Sequence, residues 1–349
     1  EPTIIELKTK TKTIPFNPAS RQQIADRLMK RGWKPEAFTD SGEPKVDETV
    51  LAGIDMPEAK LLNEYLLLNK RIGQLATGKQ AWLKMEKGGK IHGRVNHMGA
   101  VTSRCTHSNP NTAQVPSVGA PYGKECRELF ISPSGYSLLG ADASGLELRC
   151  LAHYMAAYDD GSYADVVLNG DIHTANQQAA GLESRNQAKT FIYAFLYGAG
   201  PAKIGSVVGG NSSDGQKLIG KFLKNMPALN KLRKDIGAVA SKGLIRGLDG
   251  RMLHIRHEHA ALNTLLQGAG AVVCKRWLVE MDRMIWEHGL DAKLVASVHD
   301  EYQFEVANPD IESFTKITKE AMYTTQEILN FKCDLDSDFK VGNNWAETH

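Results

Sequence analysis

The sequence predicts an α+β domain interrupted by a helical insertion. Three observations carry this. "YSLLGADASGLELRCLAHYMA" (136–156) begins as a buried strand and turns helical near Gly145, and "LVASVHDEYQFEV" (294–306) reads as two short strands joined by a tight turn. Between them, residues 171–256 are mostly helical in pattern, with glycine-rich breaks at 198–200 and 208–210. "HAALNTLLQGAGAVVCKRWLVEMDRMIWEHG" (259–289) is a single long helix leading back to the strands. Strands at both ends of a helical middle fit one sheet that carries a helical excursion.

The remaining elements follow in order. "NPASRQQIADRLMKRGW" (17–33) is a helix with Asn17 or Ser20 as its cap and Gly32 as its stop. Residues 57–85 carry one long helical pattern, and "GKIHGRVNHMGAVTSRCT" (89–106) is strand-like and punctuated by glycine. A further helix lies around 311–329, followed by the tail "DFKVGNNWAETH". There is no internal repeat and no low-complexity segment.

Composition narrows the classes. The 349 residues are 42% hydrophobic and 23% charged, which is ordinary for a globular chain. Length suggests two or three subdomains. No run of about 18 apolar residues exists, so no membrane span is expected. The chain opens on "EPTIIELKTKTKT", without Met or a signal-peptide pattern, and is expected to be part of something longer. Cys105, Cys126, Cys150, Cys274 and Cys333 form no C-x-x-C pair, which suggests reduced thiols and argues against structural zinc. Net charge is only +2, yet residues 201–256 hold eleven Lys and Arg against three acids. That is either a solvated helix face or a contact surface for a polyanion.

Candidate chemistry sits at the strand ends and on one helix. "GQLATGKQ" (73–80) has the glycine and lysine spacing of a phosphate-binding loop, but lacks the Ser or Thr after Lys79 and the preceding strand, so it is set aside. Asp142 closes one strand and is either a helix cap or half of a carboxylate pair with Asp300. Two such carboxylates suit hard divalent cations, and a cation pair can clamp the attacking and leaving oxygens of a phosphoryl displacement. That the two strands are neighbours is an inference. In "RNQAKTFIYAFLYGAG" (185–200), Lys189, Tyr193 and Tyr197 step by four on one face, with Arg185 one turn further back. This stripe is about 18 Å long, enough for a triphosphate at the cationic end and a sugar and base over the tyrosines. The alternative is an amphipathic helix with two snorkelling cations. His173, in "DIHTANQQAA", is a further candidate phosphate donor.

Taken in order, "DASGLELR", "RNQAKTFIYAFLYG" and "VHDE" resemble the three polymerase motifs of family A DNA polymerases, the Pol I type. The segments "GAVTSRCTHSNPNTAQVPSVGAPYG", "NGDIHTANQ", "GLDGR", "HAALNTLLQGAGA" and "NNWAETH" are similar to the replicative branch found in short-tailed bacteriophages. The resemblance runs from about Phe16 to the C-terminus. It implies a right-hand polymerase fold, with an antiparallel palm sheet, a mostly helical fingers insertion and a partial helical thumb. The implied division is thumb base and linker at 1–85, palm at 86–155, fingers at 156–258 and palm again at 259–349. The family's exonuclease domain and the rest of its thumb are expected upstream.

The resemblance also implies roles. Asp142, Asp300 and the Ala143 carbonyl would hold two Mg²⁺ ions, with Mn²⁺ able to substitute, and Glu301 would be an outer carboxylate. Arg185, Lys189 and His173 would neutralise the triphosphate, with Lys189 also catalytic. Tyr193 would stack by the sugar, and Glu147 would crowd its 2′ position. Tyr197 would guard the template position and His299 would approach the primer end. Arg104, Gln114, His259, Asn263 and Gln267 would line the duplex, where each correct pair offers a minor-groove acceptor. Implied partners are primer–template DNA and deoxynucleoside triphosphates. Host thioredoxin and a replicative helicase would be reached through parts outside this chain. The implied setting is the cytoplasm of an infected bacterium, in soluble form. Two other functions share parts of the pattern: a two-metal nuclease, which does not need the 185–197 stripe, and a non-catalytic DNA-binding fragment.

Overall fold

The computed structural model describes residues 14–39 and 41–349. Residues 1–13 of the expected thumb base and linker at 1–85 lie outside the described residues. The chain divides into two compact units, residues 1–92 and 93–349.

Among its described residues, the first unit is built mainly on α1 (Arg21–Lys30), α2 (Glu48–Ala52) and α3 (Pro57–Ile72), with one further short helix at Trp82–Met85. Ser20, not Asn17, caps α1, its hydroxyl accepting from the Gln23 amide at 3.4 Å. Ile24, Leu28, Val46, Leu51 and Ala59 form a small core. The expected single helix over 57–85 is interrupted. After Ile72 the chain makes a π-helical turn, Gly73–Thr77, and leaves the helix at Gly78. A Cβ at Gly78 would sit 2.5 Å from the Gly73 carbonyl oxygen. The glycine spacing once reminiscent of a phosphate loop therefore serves a helix end.

In the second unit, strand β1 (Tyr136–Ala143) is followed at once by helix α4 (Leu146–Asp159). The insertion comprises α5 (Ile172–Ala180), α6 (Arg185–Leu196), α7 (Ser212–Asn225) and α8 (Pro227–Ala240), with a short helix at Pro201–Ser206. It ends in a hairpin, Leu244–Arg246 with Met252–His254, where a helical pattern was expected. Gly243 and Gly250, both at positive φ, break the helix and turn the chain. The long helix α9 (Ala261–His288) returns to strands β2 (Ala292–Val298) and β3 (Glu301–Ala307), then α10 (Ile311–Ile328). The tail forms an edge strand, β4 (Ser337–Gly342).

The sheet order is β4-β1-β3-β2, antiparallel throughout. Period-two alternation sorts its faces. Leu139, Ala141, Tyr302, Phe304 and Val306 join the core with Trp277 of α9 and Phe314 of α10. That core continues without a break into the insertion through Leu151, Phe191, Phe195 and Phe222. Asp142 lies on the opposite face.

Candidate active site

Register alone brings the acids together. Asp142 pairs with Glu301 on one side and Asp338 on the other, so three carboxylates stand in a row across three strands. Directly opposed residues of antiparallel strands point to the same face. Asp142 does not cap α4: the N-cap is Gly145, and no side chain bonds there. Asp300 joins the row through the β2–β3 turn, where its carbonyl accepts from the Ala143 amide at 3.1 Å. That turn contains only His299 and Asp300, and His299 takes φ of 58°, a region glycine ordinarily supplies. A hairpin this tight, built on a residue that disfavours it, carries its two polar side chains to the sheet's end.

Crowding sets the electrostatics. Burial, then the charges of Asp300 and Glu301, push the Asp142 carboxyl up to about 6, although its side chain still reaches solvent. Asp300 is raised by burial and by Glu147, with Arg104 pulling the other way. Beneath it, the buried Cys274 thiol lies 3.9 Å from Asp300 Oδ1. Burial would raise Glu301 too, but hydrogen bonds from His349, Trp345 and Gln303 outweigh it and hold the carboxyl below its ordinary value. Gln303 Nε2 and Trp345 Nε1 donate to Oε1 at 2.6 and 2.7 Å, and His349 Nδ1 lies 2.6 Å from Oε2. Glu301 is thus buried and fully engaged.

A polar chain runs from these strand ends to the insertion. Arg104 Nη2 lies 3.8 Å from Asp300 Oδ1 and 3.7 Å from Glu147 Oε1. The Tyr197 hydroxyl donates to Glu147 Oε1 at 2.7 Å. Tyr193, half-buried one turn earlier, has its phenol raised by burial and by the Glu147 charge. Its ring lies 6.3 Å from His173. The His173 imidazole is lowered by burial, then by the charges of Arg185 and Lys189, so these three side chains form one electropositive group. Helix α6 begins there with a reciprocal capping box, Ser184 and Gln187, each side chain bonding the other's backbone at 3.2 Å. Arg185 has a partner that the sequence did not reveal, since its Nε donates to Asp171 Oδ2 at 2.8 Å.

The expected duplex residues are partly gathered. Asn263 Nδ2 donates to the Tyr197 carbonyl at 3.3 Å. Asn263 and His259 line a cavity of about 480 Å³ with Gly198–Pro201, Phe195 and Arg233. His259 sits in a 3₁₀ turn ahead of α9, so it does not continue the helical face of Asn263 and Gln267. Gln267 is half-buried on α9, Gln114 ends the short 3₁₀ turn Thr112–Gln114, and His299 is exposed at the hairpin tip. Most of the basic segment is exposed, and two of its members cover aromatic rings. Arg233 lies 5.1 Å over the Phe195 ring and Lys231 lies 5.6 Å over Tyr158. Sequence reasoning missed Asp171, Asp338, Trp345, His349 and Cys274. Asp338 left a signal in the polar–apolar alternation of "SDFKV", and Asp171, Trp345 and His349 stand in the segments "DIHTANQQAA" and "NNWAETH" without a role having been read for them.

An antiparallel sheet with acids at its strand ends, sharing one core with a helical insertion that carries a basic and aromatic stripe, is a right-hand polymerase fold. The comparisons agree. The model of DNA polymerase family A matches residues 3–347. The DNA-directed DNA polymerases of Enterobacteria phage T3 and Escherichia phage T7 are each 46% identical over 98% of this chain, which covers 54% of each. DNA polymerase I of Pseudomonas aeruginosa is 28% identical over 96% of the chain and 39% of its own length. Among solved structures, the polymerase domain of Pol1 from M. smegmatis, in complex with DNA primer-template and dNTP, matches with a TM-score of 0.83 at 21% identity, over 95% of this chain and 62% of that one. The chain belongs to DNA polymerase family A. It spans about half the length of the phage relatives it matches.

Proposed function

We propose that this chain carries out template-directed DNA synthesis, adding deoxynucleotides to a primer 3′-hydroxyl with release of pyrophosphate. One observation carries the reading. The strand-end acid Asp300 is linked through Arg104 and Glu147 to Tyr197 at the end of α6, and the same helix carries Tyr193 beside His173 and, at its start, Lys189 and Arg185. A nuclease has no use for the second half of that arrangement.

The donor set fits a divalent cation. The charge of Asp300 adds to the cost of ionising Asp142, and both are hard oxygen donors; Mg²⁺ is commonly held by one or two carboxylates, with substrate phosphates and water completing its shell. Among the described residues, no group of three or more His, Cys, Asp or Glu side chains is arranged to hold an ion unaided. Asp142, Asp300 and the Ala143 carbonyl would hold two such ions, which supply an acidified primer hydroxyl and charge neutralisation at the α-phosphate. Arg185, Lys189 and His173 bind and orient the triphosphate. Tyr193 packs on the sugar and Glu147 excludes a 2′-hydroxyl. Tyr197 guards the template position, while Arg104, Gln114, His259, Asn263, Gln267 and His299 follow the duplex and primer end. Glu301, its oxygens already taken, acts on the site through its charge on Asp142.

In this reading residues 1–85 are thumb base and linker, 86–155 and 259–349 palm, and 156–258 fingers. The setting is phage replication in the cytoplasm of an infected bacterium, with thioredoxin and helicase engaged by parts beyond this chain. No helix among the described residues is long and apolar enough to cross a membrane. The test is extension of a labelled primer–template. Asp142→Ala and Asp300→Ala should each abolish nucleotide addition while duplex affinity changes less than about threefold. Extension at near wild-type rate by either variant refutes the assignment.

A further inference from the structure

Asp171 precedes helix α5 and its carboxylate is saturated. Oδ1 accepts from the backbone amides of His173 at 3.1 Å and Thr174 at 3.3 Å. Oδ2 accepts from the Thr174 hydroxyl at 2.8 Å and from Arg185 Nε at 2.8 Å. The first three bonds are ordinary helix capping. The fourth is not required by α5, since it reaches across to the first residue of α6.

An acid beside a triphosphate site is unfavourable for an anionic ligand unless it does something else. Here it fixes a guanidinium. Arginine offers five N–H donors in a planar fork, and Asp171 occupies only Nε. Four donors remain on the two Nη groups, and the carboxylate that engages Nε is itself held by three other hydrogen bonds. The group beside them is built for the same ligand. His173 follows the cap by two residues, its Nδ1 has no hydrogen-bond partner, and its imidazole is flanked by Arg185 and Lys189. An unrestrained, half-exposed arginine would have to be ordered by the ligand at an entropic cost, and a held one does not.

On the reading that Arg185 binds the triphosphate, we propose that Asp171 is a positioning residue for nucleotide binding, acting through Arg185. Its net effect on affinity is favourable despite its charge.

The experiment separates capping from positioning. Asp171→Asn and Asp171→Ser both keep an oxygen for the helix cap, and neither presents a carboxylate to Arg185. Binding of dTTP is measured on the chain with a dideoxy-terminated primer opposite template adenine, in Mg²⁺, alongside turnover and thermal unfolding. Both variants should weaken dTTP binding by about fivefold to twentyfold, leave kcat within about twofold and leave Tm close to wild type. In an Arg185→Ala background, the same changes at Asp171 should have no further effect on binding. Unchanged dTTP affinity in both variants, with Arg185→Ala still defective, shows that Asp171 is only a cap and overturns the proposal. Tighter binding also overturns it, because Asp171 would then compete with the triphosphate. If Arg185→Ala itself binds dTTP normally, the triphosphate site has been misplaced and the underlying reading fails instead.

Discussion

At the scale of single residues, the site trades stability for charge. Asp142 is raised to about 6, against an ordinary value near 3.8, by burial and by neighbouring acids. The sign follows. With the folded value above the unfolded one, this group's contribution is intact below about pH 4 and is lost as pH rises through 6. Asp142→Asn should therefore stabilise the metal-free protein at pH 8 and have almost no effect at pH 4, measured by urea unfolding in EDTA. Equal effects at the two pH values would mean the repulsion is not there. Adding Mg²⁺ should stabilise the wild type more than the variant, since ligand binding to the native state shifts unfolding by mass action. Tyr193 offers a second test. Its ring lies 6.3 Å from His173, its phenol feels the Glu147 charge, and its hydroxyl is the only group that Tyr193→Phe removes. If that hydroxyl fills the polar gap left by a missing 3′-hydroxyl, wild type should use dideoxynucleotides nearly as well as normal ones. The Phe variant should discriminate by about tenfold to a hundredfold, the equivalent of one charged hydrogen bond. An identical termination ratio in competition assays would place Tyr193 away from the sugar.

At the scale of elements, the β2–β3 hairpin departs from local backbone preference, with His299 at positive φ. A side chain in the left-handed region costs roughly 1–2 kcal/mol, whereas glycine gives back about 0.5–1 kcal/mol through its freer unfolded state. His299→Gly should thus be neutral or stabilising by up to about 1 kcal/mol in chemical denaturation, while slowing primer extension. A clear loss of stability would show that His299 holds the turn through neighbours such as His107, whose imidazole is lowered by burial and by the charge of His299. The element level also explains the mixed outcome for helices. Helix α9 was readable because nothing interrupts its apolar pattern for 28 residues and Gly289 ends it at positive φ. The helix expected over 57–85 was not, because Gly73 and Gly78 set a π turn that an apolar period alone does not report.

At the scale of the whole second unit, sheet and insertion share one core. Trp277 lies against Tyr302 with ring centroids 5.5 Å apart, and Phe191 meets Phe222 at 5.0 Å, all within the same buried cluster. Trp277→Ala and Phe191→Ala should each cost about 3–5 kcal/mol. Each should also lower hydrogen-exchange protection in β1 and α7 together. Protection of β1 that survives Phe191→Ala would make the insertion a separate folding unit.

The sequence by itself determined most element types and the family, and it pointed to the residues of the candidate site: Asp142 and Asp300 at strand ends, and Arg185, Lys189, Tyr193 and Tyr197 at helical spacing. These are readable because local periodicity and short motifs are properties of neighbouring residues. Only the tertiary structure decided who stands beside whom. Asp338 faces Asp142 because the tail becomes β4, and Glu301 is buried because Trp345 and His349 fold back on it. Asp171 holds Arg185 from fourteen residues away. Arg233, a charge in a basic run, turns out to cover an aromatic ring. Each of these depends on strand register or helix packing, which are fixed by burial of the shared core and leave no trace in the spacing of the residues they bring together.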